Sequence, residues 1–172
     1  GNGCGAAIFV RDGGTLIVQG NALFDRNATS GGSSLNGGAA GEDAGADLFI
    51  MRGSSVILDA GINNTIVFNG GIADDSAASI SGASIRSGDG AGLEIRSGLV
   101  VFNGENTYTG VTKISGGVLQ TQDGYGIHRN SNINLAGGVL QSNGLFNRYT
   151  GTGDTTNRLF TLAAGTGRDR IQ

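Results

Sequence analysis

Thirty-four of the 172 residues are glycine and none is proline. That is about three times the average glycine content of a globular chain. Each glycine inside a helix costs about 1 kcal/mol relative to alanine, so a helical bundle is excluded. Collagen is excluded too, because it needs glycine at every third position and abundant proline. Charged residues make up only 15% and apolar residues 38%, with Leu, Ile, Val and Phe spread over the whole length. A disordered chain would show the opposite balance. An all-β chain with many tight turns remains.

The chain also repeats. Gly116-Gly117-Val118-Leu119-Gln120 returns 21 residues later as Gly137-Gly138-Val139-Leu140-Gln141. Phe-Asn pairs occur at Phe68-Asn69, Phe102-Asn103 and Phe146-Asn147, and Phe24 lies 44 residues before Phe68. An offset of 44 reads as two steps of about 21–22, whereas the 34 between Phe68 and Phe102 calls for an extra loop. Apolar residues spaced by two mark one face of a strand: Leu16 and Val18, Val56 and Leu58, Ile66 and Phe68, Val100 and Phe102, Ile133 and Leu135. Gly, Asn, Asp and Ser between them suit sharp corners.

Short strands recurring at this period predict a right-handed parallel β-helix, a β-solenoid with Gly-rich loops, in one unit spanning 1–172. Roughly eight coils would stack into a rod about 40 Å long. A sandwich would want regular hairpins and a tryptophan, and a transmembrane barrel would want long strands with aromatic girdles. Aromatics are only 6% and tryptophan is absent. The inward core is expected to include Val18, Val56, Leu58, Phe68, Val100, Phe102, Ile114, Leu119, Leu135 and Leu140. Residues 27–47 and 73–92 are rich in Gly, Ala and Ser and read as loop excursions. Their charges, Glu42, Asp43, Asp47, Asp74 and Asp75, would form an acidic, flexible surface.

Residues 98–120 carry a more specific signal. Gly98, Val100, Phe102, Gly104, the run Asn106-Thr107-Tyr108-Thr109-Gly110, then Thr112, Ile114, Gly117 and Leu119 fill one pattern. This segment resembles the autotransporter-associated β-strand repeat, found in passenger domains of type V secreted proteins. Leu162 to Gln172, with Gly165-Thr166-Gly167, is similar to the segment that follows such repeats. The resemblance implies secretion to a bacterial surface and a scaffolding role, with an outer-membrane barrel beyond Gln172. On that reading the chain is an internal fragment of a longer passenger. In physical terms Asn106 is suited to bond backbone at a turn and to stack on an Asn of the next coil, and Tyr108 offers a large ring with a polar tip.

Catalytic chemistry finds little support. His128 is the only histidine and Cys4 the only cysteine, and they lie more than 120 residues apart on a rod. Asp74-Asp75 is an acidic pair, but successive strand residues face opposite ways. Asp89, Glu94 and Glu105 are scattered, and Lys113, Arg86 and Arg96 are the candidate bases for a polysaccharide lyase. Gly88-Asp89-Gly90 is a lone echo of a calcium-binding roll. No catalytic, cofactor or metal residue is therefore assigned, and no cofactor is expected. The formal charge of −3 and pI near 4.9 argue against nucleic acid as a partner. The expected role is a structural stalk that displays an adhesive or effector region. The alternatives are a module binding a host protein or glycan, or a neighbouring passenger segment, and a polysaccharide-active β-helix enzyme.

Overall fold

The computed structural model describes residues 1–34, 37–122 and 125–142, together with the backbone of two short strands at 160–162 and 170–171. The described residues contain seventeen strands and no helix, and every strand pairing is parallel. The strands fall into six successive layers. The first holds β1 (Gly3–Cys4), β2 (Ile8–Val10), β3 (Thr15–Gln19) and β4 (Ala22–Phe24). The second holds β5 (Asp43–Ala44), β6 (Leu48–Ile50), β7 (Ser55–Asp59) and β8 (Thr65–Phe68), and the third β9 (Ile72–Asp74), β10 (Leu93–Ser97) and β11 (Leu99–Phe102). Then come β12 (Thr112–Ile114) and β13 (Val118–Thr121), β14 (Ile133–Leu135) and β15 (Val139–Ser142), and β16 (Phe160–Leu162) and β17 (Arg170–Ile171).

Layers stack into two six-stranded sheets, β3-β7-β10-β12-β14-β16 and β4-β8-β11-β13-β15-β17. A three-stranded sheet, β2-β6-β9, and the pair β1-β5 complete the first three layers. Each sheet takes one strand from each successive layer, an arrangement compatible with a β-solenoid.

The core consists of in-register rows. Val18, Leu58, Ile95, Ile114 and Leu135 stack along one six-stranded sheet. Ala22, Ile66, Val100, Leu119 and Leu140 stack along the other, beside Phe24, Phe68 and Phe102. Val56, Leu58, Phe68, Val100, Phe102, Ile114, Leu119, Leu135 and Leu140 are all buried. Val18 is only half-buried, because among the described residues its layer has a neighbour on one side alone. The Phe24 and Phe68 rings stack 4.5 Å apart, and Phe102 meets Phe68 edge-on at 5.8 Å. The residues after the rings form a polar ladder outside: Asn69 donates to Asp25, and Asn103 donates to Asn69.

The corner between the two large sheets explains much of the glycine. Gly20, Gly98, Gly117 and Gly137 occupy it in four layers, with φ of +73°, +69°, +67° and +117°. L-residues with a Cβ rarely adopt that region. Close stacking adds a second reason, since a Cβ on Gly98 would lie 2.4 Å from the Gly61 carbonyl oxygen.

The spacing of layers differs from the sequence expectation. Phe24 pairs directly with Phe68, so the 44-residue offset is one layer rather than two coils of about 22. The 34 residues from Phe68 to Phe102 are also one layer. Only the step from layer four to layer five, β12 to β14 and β13 to β15, is 21 residues. Excursions lengthen the early layers, and the described residues form six layers rather than about eight. Phe146-Asn147 and Gly165 to Gly167 lie outside the described residues.

Both expected excursions contain ordered pairing. Residues 27–47 include β5, and 73–92 begin within β9 and include a parallel bridge between Ser76 and Ile85. The two segments also touch, because the Ser81 N–H donates to the Glu42 carboxyl.

Candidate functional site

The repeat motif lies between β11 and β12 and spans three layers. Asn106 is buried, and its side chain bonds in both directions. Its Oδ1 accepts the Ile72 N–H from the layer before at 2.7 Å. Its Nδ2 donates to the Gly126 carbonyl of the layer after, also at 2.7 Å. These partners are backbone on both sides, in place of the asparagine stack expected for this residue. The stack occurs instead at Asn69 and Asn103. Tyr108 is fully buried, and its hydroxyl lies 2.7 Å from Thr112 Oγ1, which lies 3.1 Å from Ser131 Oγ. An aromatic ring in the core needs such a partner for its polar tip. Gly110 packs face to face with Ala91, where a Cβ would come within 2.2 Å of the Ala91 carbonyl carbon.

Thr109 joins the motif to Asp74. Both its N–H, at 2.6 Å, and its hydroxyl, at 3.1 Å, donate to Asp74 Oδ2. Asp74 Oδ1 accepts the Ser76 N–H at 3.0 Å and the Ser79 hydroxyl at 3.3 Å. Ser79 Oγ in turn lies 2.7 Å from Thr107 Oγ1. Asp74 therefore belongs to the interior, not to a flexible acidic surface. A buried carboxyl persists where its oxygens are filled by donors, and four donors serve this one. Asp47 is buried in the same manner, accepting from Asn27 Nδ2 at 2.8 Å and from the Gly70 N–H at 2.6 Å. Asp47 lies in the bend just before β6, where alternation gives no signal, but expecting Asp74 in an exposed loop overlooked strand alternation. Ile72 and Asp74 are spaced by two, so an inward Ile72 carries Asp74 inward with it.

The remaining candidates do not converge. Asp75 turns away from Asp74 and accepts the Arg52 N–H at 2.9 Å. Glu94 lies on the outer face of β10, 3.0 Å from Lys113 Nζ and 3.1 Å from Arg96 Nη2, and accepts the Ser115 hydroxyl at 2.7 Å. Burial pushes its carboxyl upward, but the Ser115, Lys113 and Arg96 donors outweigh that and leave it below the usual glutamate value. Cys4, in layer one, has its thiol pushed up by burial and by the nearby charge of Asp43. A raised thiol is a poor nucleophile. His128 Nδ1 accepts the Asn130 N–H at 3.2 Å, in the turn before layer five. Among the described residues no three His, Cys, Asp or Glu side chains are grouped to hold a metal ion.

A cleft of about 330 Å³ opens where the two excursions meet β5 and the start of β9. Asp43 and Glu105 supply its carboxyls, and Thr29, Ser79 and Thr107 its hydroxyls. Sequence reasoning named Asp43 and Glu105 separately but had no means of joining them, since they are 62 positions apart and meet only through stacking. Comparison with family models, curated proteins and solved structures finds no match to this chain.

Proposed function

We propose that the chain is a right-handed parallel β-helix segment of a secreted bacterial surface protein of the autotransporter kind. In this reading it is a structural stalk holding an adhesive or effector region away from the cell. The observation that carries the reading is the use made of Asn106 to Gly110. Their side chains are spent on joining layers: Asn106 bridges Ile72 and Gly126, Thr109 holds Asp74, and Tyr108 fills the core. Such a segment serves as a splice between coils, which is what a load-carrying rod requires.

A second reading, a module that binds a glycan or a host protein, is favoured by the cleft between the excursions. Its carboxyls and hydroxyls can accept and donate to a polyol, and both excursions wall it. The test for the stalk is export. The chain is fused ahead of an outer-membrane translocator barrel, and its surface exposure is read by protease accessibility on intact cells. Efficient display, reduced by Asn106→Leu but unchanged by Glu105→Gln, is expected. Retention inside the cell would refute the stalk. Glycan binding abolished by Glu105→Gln would shift the assignment to the second reading.

A further inference from the structure

The side chains of the cleft between the two excursions turn hydrogen-bond acceptors toward whatever enters it, because their own protons are committed elsewhere. Asp74 is fully buried behind the cleft and, as a carboxylate, only accepts. Ser79 Oγ accepts the Asp74 N–H at 3.0 Å and donates its one proton to Asp74 Oδ1 at 3.3 Å. Thr107 Oγ1, 2.7 Å from Ser79 Oγ, therefore gives its proton to Ser79 and keeps its lone pairs for the cleft. Thr29, in the first excursion, repeats the arrangement: its hydroxyl donates to Asp43 Oδ2 at 3.4 Å. The carboxyls of Asp43 and Glu105 add two negative charges. The lining contains no Lys, Arg or His, and no salt bridge among the described residues reaches either carboxyl. The buried Asp74 fixes the hydroxyl chain before any ligand arrives, which lowers the ordering cost of binding.

We propose that this cleft holds an amino sugar, a glycan unit that carries a free ammonium group. The inference rests on the second reading above, the glycan-binding module, and names its ligand class. An ammonium has three donors and no acceptor, the complement of a site whose side chains accept. It also answers the two carboxylates, which a neutral sugar leaves uncompensated and which a sulfated or uronic sugar would meet as like charges. A lysine side chain carries an ammonium too, but its donors sit together at one tip. The acceptors here are spread, with Thr29 and Asp43 on the first excursion and Glu105 and Thr107 after β11. An amino sugar spreads its donors in the same way, the ammonium for the carboxyls and the ring hydroxyls for Thr29 and Thr107. Ala44, Ala46 and Ile72 give the ring carbons an apolar contact. A volume of about 330 Å³ lies at the lower end of small-molecule sites, roughly 300–1,000 Å³, which fits a short glycan. Asp43 and Glu105 are both exposed, so each ion pair is weak and screened by salt.

Calorimetric titration of the 172-residue chain tests this, with the glucosamine disaccharide, its N-acetylated counterpart and lysine amide as probes, at a pH where the amines are protonated. Saturable binding of the glucosamine disaccharide is expected, weakened by added salt. Acetylation removes the charge and should raise the dissociation constant by about tenfold or more. Asp43→Asn and Glu105→Gln should each raise it roughly threefold or more, with the far-UV spectrum unchanged. Glu94→Gln removes the same charge on the outer face of β10 and should leave binding as it was. If the acetylated sugar binds as tightly and Glu105→Gln weakens both, the ammonium inference falls and the glycan reading stands. If neither sugar binds, both fall. Lysine amide binding as tightly as the glucosamine disaccharide would give the cleft to a protein side chain and overturn the inference. Glucosamine binding indifferent to Asp43→Asn and Glu105→Gln would overturn it by placing the contact elsewhere.

Discussion

Replacing Asn106 by leucine keeps the branching of the side chain, enlarges it, and removes both of its hydrogen bonds. The Ile72 N–H loses its 2.7 Å acceptor and the Gly126 carbonyl its 2.7 Å donor. Asn106 is 1% exposed, so water has no easy route to either group. A buried backbone group left without a partner costs about 1–3 kcal/mol, and two such groups cost about 2–6 kcal/mol together. Burying the more apolar leucine side chain returns part of that, and fitting the larger side chain into a packed interior takes part of it back. In urea unfolding followed by far-UV circular dichroism, an m near 2 kcal/mol/M turns this loss into a midpoint roughly 1–3 M lower, with m unchanged. Asn106→Ala should be milder, because the smaller side chain leaves room for a water molecule to serve both groups. A loss below about 1 kcal/mol for the leucine variant would refute the role of Asn106 as a bridge between layers.

Three further outcomes are expected. Phe68→Ala removes a ring stacked between Phe24 and Phe102 and should cost about 3–5 kcal/mol in the same urea assay, whereas Ile62→Ala should cost almost nothing. The folded-state pKa of Glu94 lies below its unfolded value, so its contribution is present above the unfolded pKa and disappears as pH falls through the folded one. Glu94→Gln should therefore flatten the acid limb of a stability-against-pH curve, and less so in high salt; an unchanged limb would count against the Lys113 and Arg96 pairing. Deleting 27–47 should destabilise the chain, because it removes β5 and the Asp47 contact to Gly70, while a deletion confined to 33–39 should leave the melting midpoint nearly unchanged. Equal effects of the two deletions would show that β5 and Asp47 contribute nothing.

The all-β class followed from composition, because no helix tolerates that density of glycine and the low charge with ample apolar residues excludes disorder. The inward rows followed from spacing by two, as at Val100 and Phe102 or Val56 and Leu58, since strand geometry fixes which side chains share a face. The corner glycines were legible for the same local reason. Layer spacing was not legible. A solenoid requires each strand to return to register, but it sets no limit on the length of chain in between, so Phe24 could pair with Phe68 across 44 residues. Asp47 and Asp74 were misjudged because composition marks an acid as a surface residue, and only the donors gathered from Asn27, Gly70, Ser76, Ser79 and Thr109 permit burial. The cleft joining Asp43 to Glu105 likewise arises from stacking between layers. Local periodicity determined which residues face the core; stacking across long and unequal intervals decided which of them meet.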